Sequence, residues 1–511
     1  MTNNPQRPGR LLRAPESFLD TSFVKEVNKE GFNEERRSWM RRAFAAAAAT
    51  MAGGALASRA HAEGFVGDPN ILELPPWTTT LGLPVAHRGY GMPAKYEMNL
   101  MRRESPGLAS VKQASVAFTP LQGMFGIITA SGLHFERHHQ GWVEIDPSKH
   151  RLMVMGLVKN PKVYTMDDLL RLPSVSRIHF IECGANTAME WGNVAVPTVQ
   201  YTHGMLAGNE YTGVLLSTLL DDCGIDRKQA KYLLAEGADG ASMTRTIDIE
   251  RALDDAMVAY GSNGEMIRPE NGYPLRLVVP GVQGVSWVKW LRRLEVGDQR
   301  YGAKDENSGY ADLMPDGMQR QYTSINEAKS VITSPSGGQT LLDKGYYNVT
   351  GLAWSGRGKV KRVDVSFDGG NNWQTARLET PILSKALTRF NIGWVWDGKP
   401  AILQSRVIDE TGFVQPTYSQ LRAVRGTRSV YHNNAIQSWK VAETGEVSNV
   451  QISWGSGPGA SGAAPIRPLL IRARQFLGKG RKGLKGTRWS GARTEPPTRK
   501  GSAPDLCALR P

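Results

Sequence analysis

The chain has 511 residues, of which 40% are hydrophobic and 22% charged, a composition that excludes general disorder and leaves room for about three domains. Its three cysteines exclude a disulfide framework, and none lies in a C-x-x-C-H haem motif. The net charge of +14 would indicate a nucleic-acid or membrane partner if it lay in a folded domain. It lies at the two ends instead: residues 466–511 hold 12 basic and 2 acidic side chains, and residues 1–62 hold 10 and 6. We therefore expect no nucleic-acid partner.

The N-terminus has the features of an export signal. From Arg36 it reads RRSWMRRAFAAAAATMAGGALASRAHAEG, with a basic start, an apolar stretch from Ala43 to Ala57 and a small-x-small cleavage site at 60–62. The apolar stretch is shorter than the roughly 20 residues of a membrane span, so no transmembrane anchor is expected. Two arginines before bulky apolar residues resemble a twin-arginine signal, a route that typically serves proteins that fold around a cofactor. Residues 1–62 are thus predicted to be a twin-arginine signal peptide of a periplasmic protein.

The next segment, residues 63–325, mixes two kinds of element. Strand-like apolar runs occur at 152–155 and 275–279, and helical stretches are predicted at 165–171 and 211–223. No regular βαβ alternation is present. The pattern predicts an α+β domain with a mixed sheet.

The character of the chain changes after a Ser-Pro-Ser-Gly-Gly link at 334–338. Val363, Val365 and Phe367 alternate along a strand, a turn follows at 368–371, and Trp373 opens the return strand. With almost no helical periodicity between 340 and 425, residues 335–450 are predicted to form an immunoglobulin-like β-sandwich. The Gly, Ser, Pro, Arg and Lys composition of 451–511 predicts a basic disordered tail.

Cys183 is the first candidate site residue. It ends the strand-like run at 177–183 and precedes Gly184, so its thiol is predicted to lie at a strand-to-loop edge, where a thiolate can bind a transition metal. A free cysteine is also commonly just a small buried apolar side chain, and this residue alone favours that interpretation. Cys223 and Cys507 are expected to have no chemical role.

Two clusters of basic residues suggest an anion. Phe135-Glu136-Arg137-His138-His139 follows a strand-like run, and Arg276 and Lys289 flank a glycine-rich loop at 280–284. Basic groups around a glycine loop suit a phosphate or a sulfur oxyanion, although each residue taken singly is more commonly a surface charge. Together with Cys183 they indicate a metal site, an anionic cofactor and an oxyanion substrate.

Five segments carry a resemblance to a known family: FERHH at 135–139, FIECGAN at 180–186, AEGADG at 235–240, AYGSNGEMIRPENGYPLRLVVPGVQGVSWVKWL at 259–291 and GLAWSGRGKVKRVDVSFDGGNNW at 351–373. In this order they resemble the sulfite oxidase family of molybdenum-pterin enzymes, and within it the sulfite or sulfane dehydrogenase subunit of the bacterial sulfur-oxidising (Sox) system. The resemblance covers about Leu72 to Val450. It implies a molybdopterin-binding domain, an immunoglobulin-like dimerisation domain and a molybdenum–molybdopterin cofactor.

The resemblance also implies roles for individual residues. Cys183 matches the protein ligand of molybdenum, and the implied catalytic residues are Arg137, Cys183, Tyr310 and Arg389. The implied cofactor-binding residues are Phe135, Glu136, Arg137, His138, His139, Cys183, Asp239, Asn271, Arg276, Trp287, Val288 and Lys289. Arg137 and Arg389 would bind the substrate anion, and the Tyr310 hydroxyl would orient the transferred oxygen.

The chain departs from the family pattern at two positions. Where many members follow the cysteine with arginines, this chain has Gly-Ala-Asn-Thr-Ala at 184–188, and where many have a histidine it has Asn271. The missing base weakens the case for free sulfite and fits a bulkier sulfane donor on a carrier protein.

Partners and alternatives follow from the same comparison of motifs. The sequence contains no haem motif, so the resemblance implies a separate c-type cytochrome subunit as electron acceptor, and a homodimer or heterotetramer as the assembly. One alternative is a molybdoenzyme like the periplasmic methionine-sulfoxide reductase, which lacks the sandwich domain predicted here. Another is a cofactor-less anion-binding protein, against which the presence of Cys183 counts.

Overall fold

The structure is a computed structural model that describes residues 9–14, 80–85, 88–105, 112–192, 196–303, 306, 310–314, 316–321, 325–426 and 431–451. The Arg36-Arg37 pair, most of the predicted signal peptide, Cys507 and the predicted tail after residue 451 lie outside these ranges. The described residues belong to one compact unit, Met1–Gly455. Within them, every helix falls short of the length and apolar character of a membrane span.

The elements are numbered here in chain order. The strands of the N-terminal part are β1 Arg10–Leu11, β2 Arg103–Glu104, β3 Val116–Phe118, β4 Glu136–Arg137, β5 Leu152–Gly156, β6 Lys162–Tyr164, β7 Val175–Glu182, β8 Leu206–Leu215, β9 Tyr232–Gly237, β10 Thr244–Asp248, β11 Met257–Ser262, β12 Glu265–Met266, β13 Arg276–Val278, β14 Leu291–Gly297, β15 Ala311–Leu313 and β16 Gln319–Gln321. Those of the C-terminal part are β17 Lys329–Ser334, β18 Thr340–Leu341, β19 Gly345–Trp354, β20 Val360–Ser366, β21 Gln374–Thr375, β22 Arg377–Leu378, β23 Thr388–Trp396, β24 Ala401–Asp409, β25 Ser438–Val441 and β26 Val447–Val450.

The described helices are short. The α-helices are α1 Met166–Arg171, α2 Val199–His203, α3 Leu216–Asp222, α4 Ile249–Asp254 and α5 Tyr418–Arg425. The 3-10 helices are Lys95–Glu97, Lys112–Ala114, Leu121–Gly123, Ser131–Leu133, Ala188–Gly192, Pro269–Asn271 and Gly284–Ser286.

The first domain contains two main sheets around one apolar core. One has the order β10-β9-β14-β5-β6, in which β14 and β5 are parallel and the other neighbours antiparallel. The other has the order β12-β11-β8-β7, with β13 also paired to β11. The predicted α+β domain with a mixed sheet is therefore confirmed.

One predicted helix of this domain is wrong in its first half. The stretch 211–223 was predicted to be helical, but only Leu216–Asp222 is, and Tyr211–Leu215 forms the end of β8. β8 is hydrogen-bonded on one edge to β7 and on the other to β11, so these pairings decide the conformation over the local periodicity. The same strand carries Tyr211, whose ring packs against Trp287 and Arg276.

The second domain is a two-layer β-sandwich, as predicted. Its sheets have the orders β17-β19-β23-β22 and β21-β20-β24-β25-β26, and Trp354, Phe390 and Trp439 are buried between them. Two details differ from the prediction: β17 belongs to the sandwich although it precedes residue 335, and α5 is a helix in the stretch predicted to lack one. A capping box starts α5, in which the Thr417 and Gln420 side chains each accept a hydrogen bond from the other's backbone amide.

Candidate active site

Cys183 follows the last residue of β7 and starts a tightly held loop. Its amide donates to the Met205 carbonyl at 3.0 Å, and its carbonyl accepts from the Asn186 amide at 2.9 Å. The residue is half-buried. Burial raises the pKa of the Cys183 thiol, and the positive charges of Arg137 and Lys289 act in the opposite direction. A cationic ligand at this position would favour the thiolate further.

A single cavity gathers most of the residues that the sequence singled out. Those lining the same cavity as Cys183 are Phe135, Arg137, His138, His139, Asp239, Asn271, Arg276, Trp287, Val288, Lys289 and Tyr310. They come from separate chain segments: residues 135–139 surround β4 of the small sheet β2-β3-β4, Cys183 and Asp239 follow β7 and β9 of the main sheets, and Tyr310 precedes β15. The assignments of individual roles remain predictions.

Three cations in this cavity make no ion pair with any carboxylate among the described residues. Arg276 is 3% exposed and donates only to the carbonyls of Asn271 at 2.9 Å and Trp287 at 3.1 Å. Lys289 Nζ donates to the carbonyls of Arg137 at 3.2 Å and Glu270 at 3.1 Å. Arg137 likewise donates to backbone carbonyls, those of Ala114 and His138. Because buried cations are normally paired, the cavity is suited to an anion.

The pKa values of this group reflect burial and mutual repulsion. Burial lowers the pKa of Lys289 to about 7, and the charge of Arg276 lowers it as well. Burial likewise lowers the pKa of His134 to about 3, so this ring is neutral at physiological pH. His134 lines the cavity, and its Nδ1 lies 2.7 Å from the Phe135 carbonyl oxygen and 3.1 Å from Asn271 Nδ2.

Several buried polar atoms of the cavity fit a pterin cofactor with a phosphate. Asp239 Oδ1, His134 Nε2 and Arg276 Nε are buried without a hydrogen-bond partner among the described residues. An unsatisfied buried polar atom costs about 1–3 kcal/mol, so such a set indicates a ligand that supplies the missing partners. A pterin ring offers hydrogen-bond donors and acceptors. A phosphate offers a negative charge with which Arg276 and Lys289 can form ion pairs. The residues present therefore fit molybdopterin, with Cys183 as a soft metal donor.

Tyr310 lies beside Cys183 among residues that sequence reasoning missed. The Tyr310 ring stacks on Tyr431 with 4.5 Å between centroids, and the Arg245 guanidinium lies 4.7 Å from the Tyr310 centroid. Burial raises the pKa of Tyr310, which keeps its hydroxyl protonated. Arg245 is fully buried, and its Nε and Nη2 have no hydrogen-bond partner in the described part of the chain. Its segment, Thr-Arg-Thr-Ile-Asp, has the alternation of a half-exposed strand and carried no signal of a buried arginine.

Two predicted site residues lie outside the cavity. Glu136 supports it from behind, because its carboxylate binds Arg102 at 2.5 Å and His138 Nε2 at 3.1 Å. Arg389 is buried at the contact between the domains, where it donates to the carbonyls of Gly126 at 2.9 Å and Met124 at 3.1 Å. The structure does not bring Arg389 to Cys183, since the 124–126 loop occupies its donors. Its implied substrate contact stays a prediction.

Two family models match the chain. "Oxidoreductase molybdopterin binding domain" matches residues 139–304, and "Mo-co oxidoreductase dimerisation domain" matches residues 320–439. A solved structure, that of the sulfane dehydrogenase SoxCD from Paracoccus pantotrophus, is 48% identical with a TM-score of 0.74, and the match covers 76% of this chain and 100% of that chain.

Curated relatives match over shorter shares of their length. Mitochondrial sulfite oxidase of Rattus norvegicus is 32% identical over 270 residues, which is 49% of this chain and 49% of that protein. An NADH nitrate reductase of Solanum lycopersicum is 32% identical over 308 residues, 53% of this chain and 33% of that protein. The chain thus spans about a third to a half of the length of these curated relatives.

Proposed function

Because this chain belongs to the sulfite oxidase family of molybdopterin oxidoreductases, we propose that it oxidises a sulfur oxyanion or a carrier-bound sulfane sulfur and passes the electrons to a c-type cytochrome. Its cofactor is molybdenum–molybdopterin. The observation that carries the proposal is the cavity at Cys183, where Arg137, Arg276 and Lys289 make no ion pair with a described carboxylate. A soft metal donor next to unpaired cations suits a metal centre that acts on an anion.

The residues divide between holding the cofactor and holding the substrate. Arg276 and Lys289 would bind the phosphate, Asp239 and Asn271 would meet the pterin, and Cys183 would bind the metal. When bound, the cofactor supplies the two-electron redox centre and the oxygen that is transferred. Arg137 would attract the substrate anion by charge-assisted hydrogen bonds of about 1.5–3 kcal/mol.

The Tyr310 hydroxyl would donate a hydrogen bond at the reacting oxygen, because its raised pKa keeps the proton in place. Its ring is held between Tyr431 of the second domain and Arg245 of the first. Such pre-organisation keeps the donor aligned without a conformational cost during the reaction.

Two observations favour a carrier-bound sulfane sulfur over free sulfite. The 48% identity is to a sulfane dehydrogenase and extends over all of that chain. The loop after Cys183 has no base at 184–188, which leaves a less cationic entrance for a bulky donor. The presence of the second domain counts against the methionine-sulfoxide-reductase alternative, and the unpaired cofactor-facing atoms count against a cofactor-less protein.

The proposal extends to location and assembly. The signal-like sequence at 1–62 supports export to the periplasm by the twin-arginine route, and the dimerisation-domain match supports a homodimer or a heterotetramer with the cytochrome. Replacing Arg36 and Arg37 by Lys is expected to abolish export, measured as periplasmic enzyme. Unchanged export would contradict the twin-arginine route.

The deciding experiment measures cytochrome c reduction by the molybdenum-loaded chain with free sulfite and with a sulfane sulfur bound to a carrier-protein cysteine. We expect a higher kcat/KM with the carrier-bound donor. We also expect Cys183→Ser to reduce activity at least about 100-fold, because loss of a metal ligand costs at least as much as loss of its supporting residues. The proposed function would be overturned if neither substrate led to cytochrome c reduction, or if the chain purified after growth with molybdate contained no molybdenum. Reduction of nitrate and of methionine sulfoxide, with a reduced dye as electron donor, tests the alternative activities.

A further inference from the structure

The carboxylate next to Cys183 is held by the second domain. Glu182 is the last residue of β7, and its carboxylate accepts from Lys329 Nζ at 2.7 Å, Trp354 Nε1 at 2.8 Å and Asn186 Nδ2 at 3.0 Å. The side chains of Lys329 and Glu182 are only 2% and 6% exposed. Lys329 lies on β17 and Trp354 on β19, both in the sandwich. The buried ion pair therefore joins the two domains at the residue next to Cys183.

The same lysine also holds the loop on the other side of Cys183. Lys329 Nζ donates to Thr187 Oγ1 at 3.1 Å, and the Thr187 hydroxyl donates to the Asn433 carbonyl at 2.8 Å. Thr187 has a φ of +65°, a left-handed conformation that is an outlier for a β-branched residue. Such a conformation persists only where the surroundings hold it, and it is found mainly at functional sites.

The internal contacts of the loop complete the arrangement. Asn186 donates to Glu182 and accepts from the Met205 amide at 3.1 Å, while the His432 amide of the second domain donates to the Gly184 carbonyl at 2.9 Å. Residues 182 to 187 are thus held on both sides of the cysteine, and the Lys329 ammonium group contacts both Glu182 and Thr187.

Stability alone is a weak explanation for this ion pair. Removing two charges from water costs as much as their attraction returns, so a buried pair can commonly be replaced by uncharged residues without loss of stability. What uncharged residues do not reproduce is a donor that reaches Glu182 and Thr187 at once. The geometry of the Cys183 loop is the property that depends on Lys329.

We propose that Lys329 is a positioning residue for Cys183. Through Lys329, the second domain sets the orientation of the Cys183 sulfur that binds the metal. This inference rests on the proposed function in one respect, the role of Cys183 as metal ligand. It gives the sandwich a task beyond association with another subunit.

The test separates positioning from folding with a double variant. Lys329→Met alone leaves the Glu182 charge buried without its partner and is expected to lower the melting temperature. Lys329→Met with Glu182→Gln removes both charges and keeps an acceptor for Trp354, so the melting temperature is expected to recover. Lys385→Met is the matched control, because the Lys385 side chain makes another ion pair between the domains, with Asp255 at 2.5 Å. Its described contacts with β7 are made by the backbone carbonyl, to Phe180 and His179, which the substitution keeps.

Three readouts are measured on the holoenzymes: molybdenum content, the Mo(V) electron paramagnetic resonance spectrum and steady-state kinetics. For the double variant we expect normal molybdenum content, shifted g-values and a kcat lower by about tenfold or more at little changed KM, since a small misplacement of a reacting group has effects of this size. The Lys385→Met control is expected to match the wild type in spectrum and kcat. A stable, loaded double variant with the wild-type spectrum and kcat would overturn the proposal.

Failure of the function is distinguishable from failure of this inference. If the loaded wild type oxidises no sulfur donor, the spectra still compare the Cys183 geometry. If the wild type holds no molybdenum, the rate of Cys183 alkylation by iodoacetamide in the full chain, followed by peptide mass spectrometry, takes their place. Positioning by Lys329 predicts faster alkylation in the double variant than in Lys385→Met, and equal rates would contradict it.

Discussion

At the scale of single residues, the site is defined by cations that make no ion pair with any described carboxylate. Arg276 is buried beside the rings of Tyr211 and Trp287, and Lys289 Nζ contacts two backbone carbonyls and the His138 ring. Burying such charges lowers stability, and a bound anion returns that free energy by binding the folded state alone. Without a ligand, the charges buried in this cavity therefore lower the stability of the folded chain.

The pKa of Lys289 predicts a pH-dependent affinity for anions. In the folded, ligand-free chain this pKa is lowered from 10.5 to about 7. Between these two values the unfolded state holds the proton and the folded state does not, so the contribution of Lys289 to stability rises with pH in this window. An anion favours the protonated form, so sulfate, whose charge is constant here, should raise the melting temperature of the cofactor-free chain more at pH 6 than at pH 9. Thermal melts of Lys289→Met should show no such difference, and equal shifts in the unmodified chain would contradict the prediction.

Arg245 makes a second prediction, in which stability and activity change in opposite directions. Arg245→Met removes a buried charge with two unsatisfied nitrogens, so the melting temperature should stay the same or rise. The Tyr310 ring loses a cation–π contact of about 2 kcal/mol, and a positive charge is lost from beneath this ring, which lines the cavity. We expect the KM for the anionic donor to rise about tenfold, which corresponds to about 1.4 kcal/mol of lost binding.

Kinetics and thermal melts of the same preparations check this prediction. Arg251→Met, at a half-buried position of α4, is the control for the loss of one positive charge. An unchanged KM in Arg245→Met, or an equal change in Arg251→Met, would show that Arg245 has no special role.

At the scale of elements, the site depends on where strands end. Cys183 is placed by the end of β7, a position that alternation and the following glycine predicted. The helix predicted at 211–223 was half wrong because β8 is paired on both edges, which local periodicity cannot report. The glycine loop at 280–284 is predicted to approach a ligand; Gly284 lines the cavity of Cys183, and Gly281 packs against Gly356 of the second domain.

Gly281 tests the contact between these elements. Its φ is +77°, and a Cβ atom there would lie 2.3 Å from the Gly356 carbonyl oxygen. Gly281→Ala should lower the free energy of unfolding by about 2–4 kcal/mol, the sum of left-handed strain and overpacking. Gly264→Ala has a similar φ of +78° but open space around it, so it should cost only about 1–2 kcal/mol. Urea denaturation measures both, and equal losses would show that the domain contact is not close-packed.

At the scale of the whole molecule, charge and function are separated along the chain. The excess of basic residues lies at the ends, and the residues of the site lie in the segment without net charge. The second domain contributes Lys329 and Trp354 to the Cys183 loop and Tyr431 to the Tyr310 ring. The catalytic region is thus a product of both domains.

The basic tail provides the prediction at this scale. Truncation after Gln451 should leave kcat/KM, melting temperature and molybdenum content unchanged, because every residue of the site lies before it. Steady-state kinetics and thermal melts of the truncated and full-length chains make the comparison. If the truncated chain lost activity only when the cytochrome was the electron acceptor, the tail would instead be assigned to partner binding.

The sequence by itself determined the order of the domains and the α+β and sandwich classes. It also determined the position of Cys183 at the end of a strand and singled out the cationic and glycine-rich segments as candidate parts of the site. Each of these depends on local composition, alternation or a short motif. The tertiary structure alone decided that Arg245 is buried under Tyr310, that Tyr431 and Lys329 reach the site, and that Arg389 faces the 124–126 carbonyls. These contacts join residues far apart in the chain, and the burial that gives them their chemistry comes only from packing one sheet and one domain against another.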